Sequence, residues 1–254
     1  MTGARPHIRL WAVLFWLLIW QLGAMAMEAV YPHGGILLAS PLESLARLGQ
    51  LAVTGAFWKT IGWSSVRILG GFLGACALAV LLAALSARYR RVRELLAPVV
   101  AAIKAVPVVS FIILALVWLD ANSLPLFIAA LMVFPPVYLQ VLSAISHTDP
   151  QLLEMARIFR VPLRRQLWGI YLPAVLPQFR AAVSLALGLC WKSGVAAEVI
   201  GLPAGSIGEQ LYAAKVYILT PDLFAWTAVI IAVSVVFEKL FLAGVDHLVR
   251  KVGC

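Results

Sequence analysis

Apolar residues in this chain gather into blocks long enough to cross a membrane. Five blocks are clear, at residues 10–27, 61–86, 95–119, 124–145 and 223–245. A sixth, 181–200, is apolar apart from Lys192 and Glu198. A spanning helix needs about 20 mainly apolar residues for a hydrocarbon core of ~30 Å. The pattern therefore predicts an all-α integral membrane protein, with six transmembrane helices in one domain covering residues 1–254. The blocks lack the period-two alternation of barrel strands, the other way to satisfy a backbone within lipid. The first block is longer than the ~7–15 apolar residues of a cleavable signal. Ala24 and Ala26 behind it form a weak cleavage site, so it is read as a retained anchor.

The polar segments between blocks carry their own signals. The stretch 41–51, P-L-E-S-L-A-R-L-G-Q-L, predicts a short amphipathic helix with Pro41 in its first turn. Residues 201–222 are rich in Gly and Pro and predict a loop holding a short helix around 207–216. Pro98 and Pro107 each remove a backbone donor, so both are expected to bend or break the start of the third block. Gly70, Gly71 and Gly74 include a G-x-x-x-G spacing, which permits close helix approach. Packing within the chain is the first reading of that spacing and a dimer seam the second. Asp149-Pro150 reads as an N-cap followed by a first helical residue, and Pro162 limits the helix that follows. On it, Leu152, Leu153, Ala156 and Ile158 supply an apolar side, while Glu154, Arg157 and Arg160 supply charge.

Composition agrees with a membrane protein. The 254 residues are 63% hydrophobic and 12% charged, with a mean hydropathy of +0.98. Soluble domains carry about 25% charged residues. The net charge of +9 is unevenly spread. With a cytosolic N-terminus, the inner segments hold Arg5, Arg9, Arg88, Arg90, Arg91, Arg93, Arg157, Arg160, Arg164, Arg165, Arg250 and Lys251. The outer segments hold only Arg47, Lys59 and Lys215. That asymmetry follows the positive-inside rule, puts both termini and the segment 149–173 in the cytosol, and needs no nucleic-acid partner.

Catalysis finds no support. A phosphate-binding loop ending at Lys192-Ser193 would need glycines where Ala186 and Trp191 stand. Ser193-Gly194 has no base at hand, because His7, His33, His147 and His247 all lie at ends or in loops. No Cys/His spacing suits zinc. Cys76 and Cys190 fall inside predicted spans and Cys254 is the last residue, which makes no disulfide framework. The charges within spans are more informative. Lys192 lies 12 residues beyond Arg180, ~18 Å along a helix and near mid-depth. Glu198 follows six residues later, roughly 120° around the axis. Arg67 enters the second span to a depth comparable with Glu198. Two readings stand: an Arg67–Glu198 bridge, or a path in which Lys192, Arg67 and Lys104 favour an anionic solute.

The run Glu154-Met155-Ala156, with Ile170-Tyr171-Leu172-Pro173 after it, resembles the E-A-A…I-x-L-P signature of binding-protein-dependent ABC importer permeases. D-P-Q-L-L-E at 149–154, S-V-R-I-L-G-G-F at 65–72 and Lys104 to Pro107 resemble the nitrate/sulfonate/taurine-type members. The similarity covers about residues 36–245. It implies a type I ABC importer permease fold in a bacterial-type plasma (inner) membrane. It also implies that 149–173 couples to an ATPase through Glu154, Met155, Ala156, Arg157, Arg160, Pro162, Gly169, Leu172 and Pro173. ATP and Mg2+ would sit in the partner ATPase subunits, with no cofactor on this chain. A second permease copy, most simply a homodimer, and an extracytoplasmic solute-binding protein would complete the assembly. The implied solute is a small anion of the nitrate or sulfonate kind, or a vitamin precursor. Two departures matter: Met155 replaces the first Ala, and Arg160 stands where the family has Gly, so Val161-Pro162 is expected to close the helix differently. A non-transporting membrane anchor, or an ion-coupled carrier, are the alternatives from other classes. Carriers show repeated halves with matched broken helices, which this sequence lacks.

Overall fold

The computed structural model describes residues 10–31 and 37–252; Arg5, His7, Arg9, His33 and Cys254 lie outside them. Every regular element among the described residues is helical. The first apolar block forms α1 (Leu10–Val30), of which only Ala24 is buried. It is held to the rest by Trp20, whose Nε1 donates to the Ala39 carbonyl at 3.1 Å and whose ring lies against Phe224. Next comes α2 (Pro41–Ala52), closed by a capping box. Ser40 Oγ accepts the Glu43 N–H at 3.2 Å, and Glu43 Oε2 accepts the Ser40 N–H at 2.9 Å. Thr54 caps α3 (Gly55–Arg88), which runs 34 residues without interruption.

The third block is not one continuous helix. It divides into α4 (Arg90–Ala105) and α5 (Val108–Ala115), bent by 105°. Pro107 causes the break, since it offers no N–H and forces Val106 ahead of it into extended backbone (φ −86°, ψ 132°). Pro98 does not break anything and sits inside α4. After α6 (Leu124–Ser146) and α7 (Pro150–Ile158), the sixth block also departs from expectation. It begins far earlier than residue 181, because α8 (Leu163–Gln166) passes through a π-helical turn at Leu167–Tyr171 into α9 (Leu172–Gly201). Leu172 and Pro173 therefore lie in the same helical run as the sixth block, and the segment 149–173 is a short helix, a turn and the first turns of that run. A connector helix, α10 (Ile207–Val216), and the long α11 (Thr220–Val252) complete the chain. Among the described residues five helices are long and apolar enough to span, and the bent α4–α5 pair makes a sixth if it is taken as one broken span.

The core lies where α3, α6 and α9 meet. It holds Ile68, Phe72, Val137, Val183 and Leu187, with Ala75, Ala79, Ala83, Ala129 and Ala186 between them. Small residues let helices approach where lipid removes the hydrophobic drive to associate. Gly71 shows this most directly: a Cβ there would lie 2.2 Å from the Leu126 carbonyl oxygen. Close packing inside the chain thus uses Gly71, while Gly74 of the G-x-x-x-G spacing meets nothing within 4 Å. Polar bonds tie the helices further. Tyr138 Oη donates to Ser86 Oγ at 3.0 Å, and Ser184 Oγ donates to Glu238 Oε1 at 2.9 Å. Arg180 clasps the Asp246 carboxylate from α9 to α11. On the other side of the bundle, Arg47 of α2 binds both Asp222 oxygens of α11.

Candidate functional site

The segment after α6 folds as its caps dictate. Asp149 Oδ1 accepts the Gln151 N–H at 2.9 Å, and Pro150 opens α7. The helix turns Ala156 inward, 1% exposed, and turns Leu152, Met155 and Ile158 outward. Phe159, just past its end, is 74% exposed. Glu154 and Arg157 flank this apolar face, both exposed, and neither has a hydrogen bond or ion pair among the described residues. Arg160 corrects the expected turn. It adopts φ 49°, the left-handed conformation that favours glycine. The Val161 N–H reaches the Ala156 carbonyl at 2.9 Å and the Arg160 N–H reaches Arg157 at 3.2 Å, which together form a Schellman closure. Arg160 thus builds the turn in glycine's place. Pro162 then caps α8 in extended backbone, and Gln166 Nε2 donates back to the Val161 carbonyl at 2.7 Å. Gly169 is exposed in the π turn, and a Cβ there would meet nothing within 4 Å.

A second feature lies at membrane depth. A cleft of about 460 Å³ opens between the α4–α5 break, α6 and α9, lined by Lys104, Val106, Met132, Pro135, Pro136, Gln140, Ala181, Leu185 and Leu189. Pro135 is eleven residues from the start of α6, ~16 Å along the axis, near the middle of a ~30 Å core. Pro136 cannot donate to the carbonyl of Met132 four residues back. Met132 and Pro136 both line the cleft. The helix nonetheless continues through both prolines to Ser146. Lys192 is exposed, on the same face of α9 as Leu185 and Leu189 by the i, i+4, i+7 rule. The structure therefore brings Lys104 and Lys192 to one side of the molecule.

Arg67 and Glu198 are placed elsewhere, and the bridge between them is not formed. Glu198 is fully buried, and its Oε2 accepts from Ser64 Oγ at 2.8 Å and from the Gly208 N–H at 3.1 Å. Ser64 Oγ in turn accepts the Ile207 N–H at 2.9 Å. Arg67 turns instead to Asn122 Oδ1 at 2.7 Å and the Ala204 carbonyl at 3.5 Å. The Glu198 carboxylate thus ties α3, α9 and the first turn of α10 together. A Cβ at Gly208 would lie 2.3 Å from the Glu198 Cβ, so the contact requires glycine. Sequence reasoning missed Phe159, Gln140 and the Pro135-Pro136 pair. Only the prolines left a signal, as two absent donors inside an apolar block.

Comparison with known proteins agrees with this architecture. The family described as binding-protein-dependent transport system inner membrane component matches residues 75–253. The putative aliphatic sulfonates transport permease protein SsuC of Bacillus subtilis is 26% identical over 235 residues, covering 92% of this chain and 82% of that one. The riboflavin transport system permease protein RibX of Chloroflexus aurantiacus is 29% identical over 237 residues, covering 92% and 87%. The taurine transport system permease protein TauC of Escherichia coli is 23% identical over 209 residues, covering 80% and 76%. With its broken α4–α5 span, its capped α7 and a family match running from α3 to the C-terminus, this chain belongs to the inner-membrane permease components of binding-protein-dependent ABC transporters.

Proposed function

We propose that this permease couples to separate ATPase subunits through α7 and passes a small organic anion through the cleft beside Lys104. The observation that carries the reading is the exposed face of α7. Met155, Ile158 and Phe159 are outward-facing beside Glu154 and Arg157, and apolar groups rimmed by charge suit a protein groove better than water. Glu154 and Arg157 are the charge-assisted anchors of that contact, with Arg160 and Pro162 shaping the turn beyond it. ATP and Mg2+ are held by the partner, and the partner's ATP binding and hydrolysis move α7. Ala156 is packed into the body and α8 leads through the π turn directly into α9, so displacement of α7 displaces a wall of the cleft. Six spans are few for a gated path, and a second copy of this chain completes it. The positive-inside pattern supports a cytosolic α7 and cytosolic termini. A soluble binding protein delivers solute to the opposite side.

The relatives named for sulfonates and taurine support an anionic solute, and so do the two lysines on the cleft side. The test is purification of the tagged chain from native membranes in mild detergent, beside Glu154→Arg. Wild type is expected to bring a nucleotide-binding ATPase with it and the variant to lose it. An ATPase that stays with Glu154→Arg at full solute-stimulated turnover would sink the coupling role. An anchor that merely recruited the ATPase would show no solute-dependent turnover at all.

A further inference from the structure

A larger cavity than the cleft lies at the arginine-rich end, and the proposed function makes no use of it. Its volume is about 650 Å³, and it opens between the last turns of α3, the last turns of α6 and the π-helical turn. Val80 and Ala84 of α3, Val141 of α6, and Trp168 and Tyr171 of the π turn give it an apolar wall, and Arg88 stands beside them. Three observations define its chemistry. The wall is too apolar and too open to be left to water. Trp168 is 61% exposed, and with Tyr171 it forms the amphipathic aromatic pair found at headgroup level. Arg88 rests 5.4 Å from the Tyr89 ring and has no carboxylate within ion-pair distance among the described residues.

The surrounding charge is mainly positive. Arg91 and Arg93 follow on α4, and Arg164 and Arg165 lie between the lining residues Leu163 and Leu167. The nearby acid, Glu94, is engaged by Arg90 at 2.7 Å. A basic pocket between helices at this end of a membrane protein selects anionic headgroups. We propose that this cavity is a binding site for an anionic phospholipid, its acyl chain against Ala84 and Val141 and its phosphate on Arg88. Such a lipid would stand between the α3–α6 pair and the π turn, and so brace the segment that joins α7 to α9. The inference does not depend on the identity of the solute or on the ATPase contact.

The test is native mass spectrometry of the detergent-purified assembly after incubation with phosphatidylglycerol or phosphatidylethanolamine. Wild type is expected to retain phosphatidylglycerol in preference. Arg88→Gln, at an exposed position where folding is not at stake, is expected to lower that preference about fivefold. Ala84→Trp, which fills the cavity, is expected to abolish retention of both lipids, and Arg88→Gln carries the test alone if that variant does not assemble. Equal retention of the two lipids by wild type, or an unchanged preference in Arg88→Gln, would overturn the proposal. So would an inter-copy disulfide through Ala84→Cys in a Cys254→Ser background, which would assign the cavity to a second copy of this chain.

Discussion

Arg160 holds a conformation in which an L-residue with a side chain is strained by roughly 1–2 kcal/mol. Its φ of 49° is imposed by the two hydrogen bonds that close α7 onto Ala156 and Arg157. Replacing it with glycine removes the strain and the guanidinium together. Arg160→Gly is therefore expected to stabilise the isolated assembly by about 1 kcal/mol, seen as slower amide exchange over α7. If the guanidinium also touches the ATPase, the same variant will co-purify less of it while resisting exchange better, which separates docking from folding. Slower exchange failing to appear would mean that the left-handed turn is not strained. The residue type at 160 pointed away from a glycine-like turn, and the turn formed regardless. Ile218 repeats the case with φ 57°, its loop closed by the Leu219 N–H on the Ala214 carbonyl at 2.8 Å. In both places the bonding of the helix end overrides the local preference of one side chain, which is why neither was legible in advance.

Among the elements, those bounded by caps were the readable ones. The capping box of Ser40 and Glu43, the Asp149-Pro150 start and the Ser206 cap of α10 all act within four residues. In the sequence only Asp149-Pro150 is read as a cap, while α2 is reached through Pro41 and α10 through its Gly- and Pro-rich surroundings. Pro98 and Pro107 show the opposite situation, since the same residue type is absorbed in α4 and breaks the chain after it. The difference is tertiary: beyond Pro107, α5 turns to bury Ile112 and Ala115 against Leu124, Ile128 and Ala197. That break also places Lys104 on the wall of the cleft, and of the two prolines expected to bend or break the block only Pro107 does so. The cleft reading predicts that Lys104→Met raises the KM for uptake of an alkanesulfonate in proteoliposomes at least about tenfold, because a charge-assisted bond is lost at low dielectric. Lys104→Arg is expected to restore most of the affinity, and an unchanged KM in Lys104→Met would move the path away from this cleft.

On the scale of the whole molecule, charge and packing describe the same axis. Arg88, Arg90, Arg91, Arg93, Arg164 and Arg165 gather at one end of the long helices, while Arg47 and Lys215 lie at the other. The core joins α3, α6 and α9. By contrast, α1 is 6% buried over its apolar window and supplies no residue to that core. Orientation is thus a question for the charged ends alone. Single cysteines decide it, because Cys76 and Cys190 are buried and Cys254 can be replaced by serine. In that background Tyr217→Cys, at a site 73% exposed between α10 and α11, is expected to react with an impermeant maleimide added outside intact cells. Glu154→Cys on α7 is expected to react only after permeabilisation. The reverse pattern would invert the protein in its membrane, take α7 out of reach of any cytosolic ATPase, and remove the coupling role whatever the fate of the cleft.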